Sequence, residues 1–328
     1  MHLIIQIPCY NEADTLPQTL ADLPQQIDGI SRLETLIIDD GSTDDTVAVA
    51  RAHGVNHIIR HPHNRGLAAV FQTGLNACLR LGADIIVNTD GDNQYPGQAV
   101  PALVGPIVAG RADIVIGDRQ TQTIAHFSSL KRFLQRWGSW VVRLASDTPV
   151  PDATSGFRAL SREAAMQLTI FTKYTYTLET IIQAGKKGLT VTSVPIQTNR
   201  PLRESRLVKS NFNFVKRNAA TILRIYTYYE PLRTFSYLSL LFLLPGLYLL
   251  GRFIYIYFVG QSGIGRLVQS VVIGGTLTIV GVLIFILGVV ADLIAANRLL
   301  SEQILYKIKR LELDRSAAPD RVSDTRST

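Results

Sequence analysis

The chain has 328 residues, a formal net charge of +7, 47% hydrophobic and only 18% charged residues, and a mean hydropathy of +0.17. Ordinary soluble domains carry about 25% charged residues, and disordered chains combine low hydrophobicity with high charge, so neither description fits. Two cysteines, Cys9 and Cys78, exclude a disulfide-stapled scaffold and a four-cysteine zinc site, and a basic, apolar chain points to two or so domains with nucleic acid or a membrane as partner.

Taken in order, apolar runs alternate with helical patterns. Residues 3–8, 33–39, 55–60, 85–89 and 114–116 read as strands, and 13–23, 44–53, 67–81 and 99–109 as helices between them. The alternation predicts an α/β fold with a mainly parallel sheet. The opening residues 2–7 are too short for a signal-peptide core and lack a basic lead, so residues 1 to about 205 are expected to stay cytoplasmic.

The apolar excess lies near the C-terminus. Residues 234–251 carry no charge, thirteen more uncharged residues follow Arg252, and 267–291 form an uncharged run of 25. A helix of that length spans roughly 37 Å, against about 30 Å of hydrocarbon. These runs predict transmembrane helices at 232–259 and 267–296 rather than buried core helices, which keep a polar face. The charge is equally local. Residues 200–233 hold eight Lys or Arg against two Glu, +6 of the +7, directly before the first span. Arg298, Lys307, Lys309 and Arg310 follow the second span, while the turn between spans has only Arg266. Both ends are therefore expected on the cytoplasmic side of the inner (plasma) membrane. Across 210–231, Phe212, Val215, Ala219, Ile222, Tyr226 and Tyr229 recur on one helical face, flanked by Lys209, Lys216, Arg217 and Arg224. That pattern also suits a soluble helix packed on the domain, but its position just before a span favours an interfacial amphipathic helix in the headgroup layer. Residues 297–328 are expected as a cytoplasmic helix and a disordered tail. The basic run adjoins a span, so membrane lipids, not nucleic acid, are the expected partner.

Polar clusters follow the strands, where open α/β sheets bind ligands. Asp90-Gly91-Asp92-Asn93-Gln94 ends an apolar strand. Two carboxylates two residues apart on a turn, with an amide oxygen behind, suit Mg²⁺ or Mn²⁺, which take oxygen ligands and keep positions open for substrate phosphates. Asp39-Asp40-Gly41-Ser42-Thr43-Asp44 follows another strand. Acids there accept from ribose hydroxyls or a base N–H, and the same residues make an ordinary turn that caps the next helix. No G-x-G-x-x-G follows the first strand and no G-x-x-x-x-G-K-[ST] is present, which disfavours a dinucleotide site and a P-loop. Asn64-Arg65-Gly66-Leu67 opens a helix whose amides either face a phosphate or simply start the helix. Asp152-Ala153-Thr154-Ser155-Gly156-Phe157-Arg158 gathers an acid, two hydroxyls, a glycine and a cation on one loop. The cations Arg119, Lys131, Arg132, Arg136, Arg158, Arg200, Arg203 and Arg206 suit anionic ligand groups.

In combination and in order, PCYNE (8–12), DDGSTDDT (39–46), NRGLAAVFQTGL (64–75), NTDGDNQY (88–95), GDR (117–119), DATSGFR (152–158) and NRPLRESRL (199–207) resemble the family 2 glycosyltransferases of the GT-A fold. The resemblance is to the polyprenyl-phosphate type, similar to dolichol-phosphate mannose synthase and bacterial two-span relatives. It implies a Rossmann-like GT-A domain over 1–209. It implies that Pro8, Asn11, Glu12, Asp39, Asp40 and Asp90 hold the nucleotide, and that Asp90, Asp92 and Gln94 hold Mg²⁺ or Mn²⁺ and the diphosphate. Arg119, Lys131, Arg200, Ser205 and Arg206 would hold the acceptor phosphate, and Asp92 and Asp152 would be the catalytic carboxylates. Gly91 stands where Ala is usual, Arg203 where Gly is usual, and Lys131 where Arg is usual, which loses a bidentate fork. The implied reaction is inverting transfer from a UDP- or GDP-sugar to polyprenyl (undecaprenyl or dolichyl) phosphate. Another membrane acceptor, lipid or polysaccharide, and a non-catalytic membrane scaffold are the alternatives. A processive polysaccharide synthase is disfavoured, because Phe133 stands where Q-x-x-R-W requires Gln and there are only two spans. Homo-oligomerisation is implied by the resemblance alone.

Overall fold

Seven of the eight residues of β1 (His2–Cys9) are buried, because a central strand of a parallel sheet is covered on both faces. Around it the computed structural model, which describes residues 1–120, 146, 148, 150–170, 176–199, 224, 226–259 and 268–317, forms a seven-stranded sheet ordered β3-β2-β1-β4-β6-β5-β7. The other strands are β2 (Arg32–Asp39), β3 (His57–Arg60), β4 (Ile85–Asn88), β5 (Ile114–Asp118), β6 (Arg158–Ser161) and β7 (Val191–Pro195). Between them run α1 (Leu16–Asp22), α2 (Thr46–Ala52), α3 (Leu67–Arg80), α4 (Val100–Val108), α5 (Arg162–Gln167) and α6 (Thr177–Lys186). The strands and helices expected up to residue 118 all form, with shifted ends. α1 starts at Leu16 rather than residue 13 and takes a proline in its first turn, where a missing N–H costs nothing.

β1 pairs in parallel with β2 on one side and β4 on the other. The chain leaves β1 toward β2 and β3, then crosses back for β4. The loops after β1 and β4 therefore diverge, and a crevice opens at their carboxyl ends. β6 runs antiparallel to both β4 and β5. Its amino end thus lies where its neighbours have carboxyl ends, so the segment leading into β6 arrives beside the loops after β4 and β5. The hydrophobic pattern gives no sign of this reversal, since β6 is four residues long and carries a buried arginine.

One face of the sheet is apolar: Leu3, Ile5, Ile7, Ile37, Ile85 and Val87 pack with Leu16 of α1 and Val100, Leu103 and Val104 of α4. Each such buried side chain contributes about 1.5–3 kcal/mol. The opposite face carries a polar rung. Gln6, Asn88 and Arg158 are neighbours in register across β1, β4 and β6, and all three are fully buried. Gln6 Nε2 donates to Asn88 Oδ1 at 2.9 Å, and Asn88 Nδ2 donates to Gly156 O at 2.9 Å and Tyr176 Oη at 3.0 Å. Phe71 of α3 stacks on Tyr176 at 3.9 Å.

The sheet belongs to one compact unit, Met1–Ala219 with Tyr306–Thr328; the other unit is Ala220–Leu305. The last turns of α8 (Val268–Ala317) fall in the first unit, where Tyr306 Oη donates to Glu163 Oε1 of α5 at 2.8 Å and Lys309 Nζ to Leu168 O at 3.4 Å.

The second unit holds α7 (Pro231–Val259) and the earlier part of α8, which continues unbroken through 297–317. Both helices are long and apolar enough to cross a membrane, with mean hydropathies of 1.7 and 2.8 and only 11% of each apolar window buried. Tyr237, Tyr248, Tyr255, Tyr257 and Phe258 are exposed along α7. The helices meet along small residues. Ser239 Oγ donates to Gly281 O at 2.8 Å, and a Cβ on Gly281 would lie 3.0 Å from Leu243 N. Lipid offers no hydrophobic drive between helices, so close backbone approach holds such a pair. The expected interfacial helix at 210–231 falls largely outside the described residues, and 260–266 and 318–328 fall wholly outside them.

The seam yields a test. Gly281→Leu in the full chain should cost about 1–3 kcal/mol through overpacking, read as a lower Tm in detergent; an unchanged Tm would mean that the helix pair does not depend on this contact.

Candidate active site

The loop after β1 is stitched to the loop after β2. Asn11 has a left-handed backbone, φ 55°, which Asn tolerates better than most residues. Its side-chain oxygen accepts from Thr43 N at 2.9 Å, its amide donates to Ser42 Oγ at 2.9 Å, and Glu12 N donates to Thr46 Oγ1 at 2.9 Å. Pro8 sits beside Ile38 in register, just before this junction. Asp39 is fully buried, accepts from Ser42 N at 3.2 Å and pairs with Arg60 Nε at 3.1 Å. Asp40 is engaged inside the protein: His61 Nδ1 lies 2.8 Å away, and Arg65 N and Gly66 N donate to it at 2.9 and 2.8 Å. The amides of Arg65 and Gly66, just before α3, thus serve the protein's own anion.

The loop after β4 carries Asp90 and Asp92, both half-buried. Thr15 Oγ1 and Thr19 Oγ1 donate to Gly91 O at 2.8 and 3.1 Å, which ties the loop to α1. Asn93 takes a left-handed backbone, φ 55°, and Asn199 bonds the carbonyls of Asn93 and Gln94 at 3.0 Å each. Gln94 N donates to Asp92 Oδ1 at 3.1 Å. Asp90 makes no hydrogen bond or ion pair among the described residues. Burial and the charge of Asp92 push its carboxyl up to about 7. Asn93 Oδ1 is likewise buried without a partner. A recessed, unpartnered carboxylate beside a second one fits a hard divalent cation. Asp90, Asp92 and the Gln94 side-chain oxygen are the residues that would hold it. Among the described residues no group of three or more His, Cys, Asp or Glu side chains is arranged to hold an ion, so such a cation would keep positions for oxygens of a ligand.

Across the crevice, Arg119, just past β5, forks onto Asp152, just before β6. Arg119 Nε donates to Asp152 Oδ2 at 2.7 Å and Nη2 to Oδ1 at 3.0 Å, and Thr154 Oγ1 donates to Oδ1 at 2.9 Å. Burial works to raise the Asp152 carboxyl, yet the bonds and charge of Arg119 hold it below the usual carboxylate range. Asp152 is thus ionised near neutral pH, suited to orient Arg119 and unsuited to donate a proton. Arg119 Nη1 makes no bond among the described residues.

Gly156, on the same loop as Asp152, lies against Asp90. A Cβ there would lie 3.0 Å from Tyr176 Oη and 3.3 Å from each carboxylate oxygen of Asp90, so Asp90 occupies room that only glycine leaves. Sequence reasoning missed Thr15, Thr19, Asn88 and Tyr176; nothing local distinguishes Tyr176 from its neighbours in the KYTYT stretch. Lys131, Arg200, Ser205 and Arg206, and the cations Arg132, Arg136 and Arg203, lie outside the described residues.

Against known proteins, the model of the family described as glycosyl transferase family 2 matches residues 4–169. The chain is 26% identical to the polyprenol monophosphomannose synthase of Mycolicibacterium smegmatis, over 63% of this chain and 82% of that protein. It is also 26% identical to the undecaprenyl-phosphate mannosyltransferase of Micrococcus luteus, over 63% of this chain and 88% of that one. Glucosyl-3-phosphoglycerate synthase from Mycobacterium tuberculosis, solved with Mn²⁺, UDP and phosphoglyceric acid, superposes with a TM-score of 0.55 at 21% identity, covering 69% of this chain and 78% of that one. That likeness shows the fold, GT-A.

Two expectations follow from the geometry. Because a proton competes for Asp90 below about 7, Mn²⁺ affinity, measured by electron paramagnetic resonance of the free ion, should fall up to about tenfold per pH unit on acidification; a flat profile from pH 8 to 5.5 would contradict the burial of Asp90. Gly156→Ala should weaken Mn²⁺ binding and cost about 1–3 kcal/mol in stability, because the methyl group displaces Asp90 or Tyr176; wild-type affinity in that variant would show that the contact is not needed.

Proposed function

The chain belongs to glycosyl transferase family 2, and from that membership we propose that it moves a sugar from a UDP- or GDP-sugar to a polyprenyl phosphate at the cytoplasmic face of the inner (plasma) membrane. The observation that carries this reading is Asp90, a recessed carboxylate without a partner among the described residues, beside Asp92, against Gly156 and within the field of Arg119, which pairs with Asp152. The names of the relatives support the acceptor class. Two long apolar helices, exposed along their lengths, support a membrane anchor, since a soluble protein rarely leaves so much contiguous apolar surface in water.

In this reading Pro8, Asn11, Glu12 and Asp39 line the nucleotide subsite, and Asp40 sets the loop that carries them. Asp90, Asp92 and Gln94 hold Mg²⁺ or Mn²⁺. When bound, such a cation stabilises the departing nucleoside diphosphate. A lipid phosphate carries about −1.5 to −2 charges near neutral pH and needs no strong general base. That agrees with an Asp152 kept ionised: it orients Arg119, leaving Nη1 for the acceptor phosphate, with Lys131, Arg200, Ser205 and Arg206 as further proposed contacts. These cations offset the repulsion between two phosphate-bearing substrates. Attack from the face opposite the leaving group, through an oxocarbenium-like state, inverts the anomeric carbon.

Membranes containing the chain, incubated with radiolabelled UDP- and GDP-sugars and undecaprenyl phosphate, should move label from one donor into the lipid fraction. Asp92→Ala should lose roughly 100-fold or more of that activity. Label that stays water-soluble across the donor panel, or an Asp92→Ala variant with full activity, would overturn the reading.

A further inference from the structure

Arg158 is fully buried, and its guanidinium forms no ion pair among the described residues. Its bonds go to neutral oxygens: Nη1 donates to Thr177 O at 3.2 Å and Thr180 Oγ1 at 2.5 Å, and Nη2 donates to Ser155 O. Nε has no partner, and the guanidinium carbon lies 5.4 Å from the centre of the Tyr176 ring. A buried cation without an adjacent anion is costly. Tying the Ser155 loop to the start of α6 does not require charge, because a neutral amide donates to carbonyls and hydroxyls equally well. The charge itself needs a counterpart.

The surroundings of Gly156 and Tyr176 point to one. Gly156 lies two residues before Arg158, the first residue of β6. Against the Gly156 position lie both Asp90 carboxylate oxygens and Tyr176 Oη. Asn88, the register partner of Arg158, likewise precedes Asp90 by two residues. Tyr176 therefore borders both groups: its hydroxyl and both Asp90 oxygens line the space over Gly156, its ring lies 5.4 Å from the Arg158 guanidinium carbon, and the charge of Arg158 acts on Asp90. Mobile cations at a surface are screened by water and salt, whereas a buried one is not. Resting on the transferase reading above, we propose that Arg158 is a positioning residue whose buried positive charge underlies the metal–diphosphate seat and offsets the negative charge of Asp90 and of the bound diphosphate.

A fixed positive charge attracts an anion and repels a cation, so its removal affects the two ligands in opposite directions. A purely structural tie affects both in the same direction. The full chain in detergent at pH 8.5 is titrated with Mn²⁺ alone, and then with inorganic pyrophosphate in saturating Mn²⁺. Arg158→Gln should bind Mn²⁺ at least as tightly as wild type, and pyrophosphate on the order of tenfold more weakly. Arg158→Lys, which keeps the charge, should stay within about threefold of wild type for both. Thr180→Val, which removes one bond and keeps the charge, should leave both affinities unchanged. Parallel loss of both ligands in Arg158→Gln, unchanged pyrophosphate affinity in that variant, or an equal loss in Thr180→Val would overturn the charge role. Melting curves identify any variant that does not fold. If Arg158→Gln is one, Arg158→Lys decides, and a tenfold loss of pyrophosphate affinity there overturns the charge role. The transferase reading stands or falls separately, on sugar transfer by the wild-type chain.

Discussion

A negative charge at the end of a strand covered on both faces is unfavourable until something positive comes to meet it. Asp90 is in that position, and much of the surrounding arrangement bears on it. Arg119, whose charge reaches it, is engaged in a two-point pair with Asp152. Gly156 leaves the room that the carboxylate occupies, and Thr15 and Thr19 hold the carbonyl of Gly91 so that the loop cannot relax away. The result is a charge held ready for a ligand, which is what a cation site with open positions requires.

The reversed strand β6 is the feature that makes this possible. In an all-parallel sheet the loop before a strand lies at the far edge from the loops that follow its neighbours. Running antiparallel, β6 delivers Asp152, Thr154 and Gly156 to the same edge as Asp90 and Arg119. The polar rung of Gln6, Asn88 and Arg158 extends across the same three strands. A buried network of this kind is favourable only when its donors and acceptors are matched. Here Gln6 and Asn88 are matched through Tyr176 and the Gly156 carbonyl, while Arg158 keeps one donor without a partner.

The two units are held together by different physics. In the first, water drives apolar side chains of the sheet and of α1 and α4 into a common core. In the second, apolar side chains point outward and the helices meet through Ser239, Gly246, Gly274 and Gly281, where contact depends on close approach. The same amino-acid preference for apolar residues therefore serves buried contacts in one unit and exposed surface in the other.

How much was legible in the chain alone follows from the range of the forces involved. Strand and helix positions, the apolar spans, the basic run before them and the Asp90–Asp92 turn all depend on periodicity or composition over a few to a few dozen residues, and each is visible there. The family resemblance rests on such short motifs as well. Pairings between distant residues leave no local mark. Asp40 reads as a nucleotide ligand, and only the fold shows that His61, Arg65 N and Gly66 N meet its oxygens. Asp152 reads as a catalytic carboxylate, and only the fold shows Arg119 paired with it. Arg158 reads as one cation among eight until burial on β6 separates it from water. An ionisable side chain's character is set by its surroundings, and those surroundings come from strands far apart in sequence. Which residues carry charge was therefore written in the chain, and what each charge faces was settled by the order and direction of the strands.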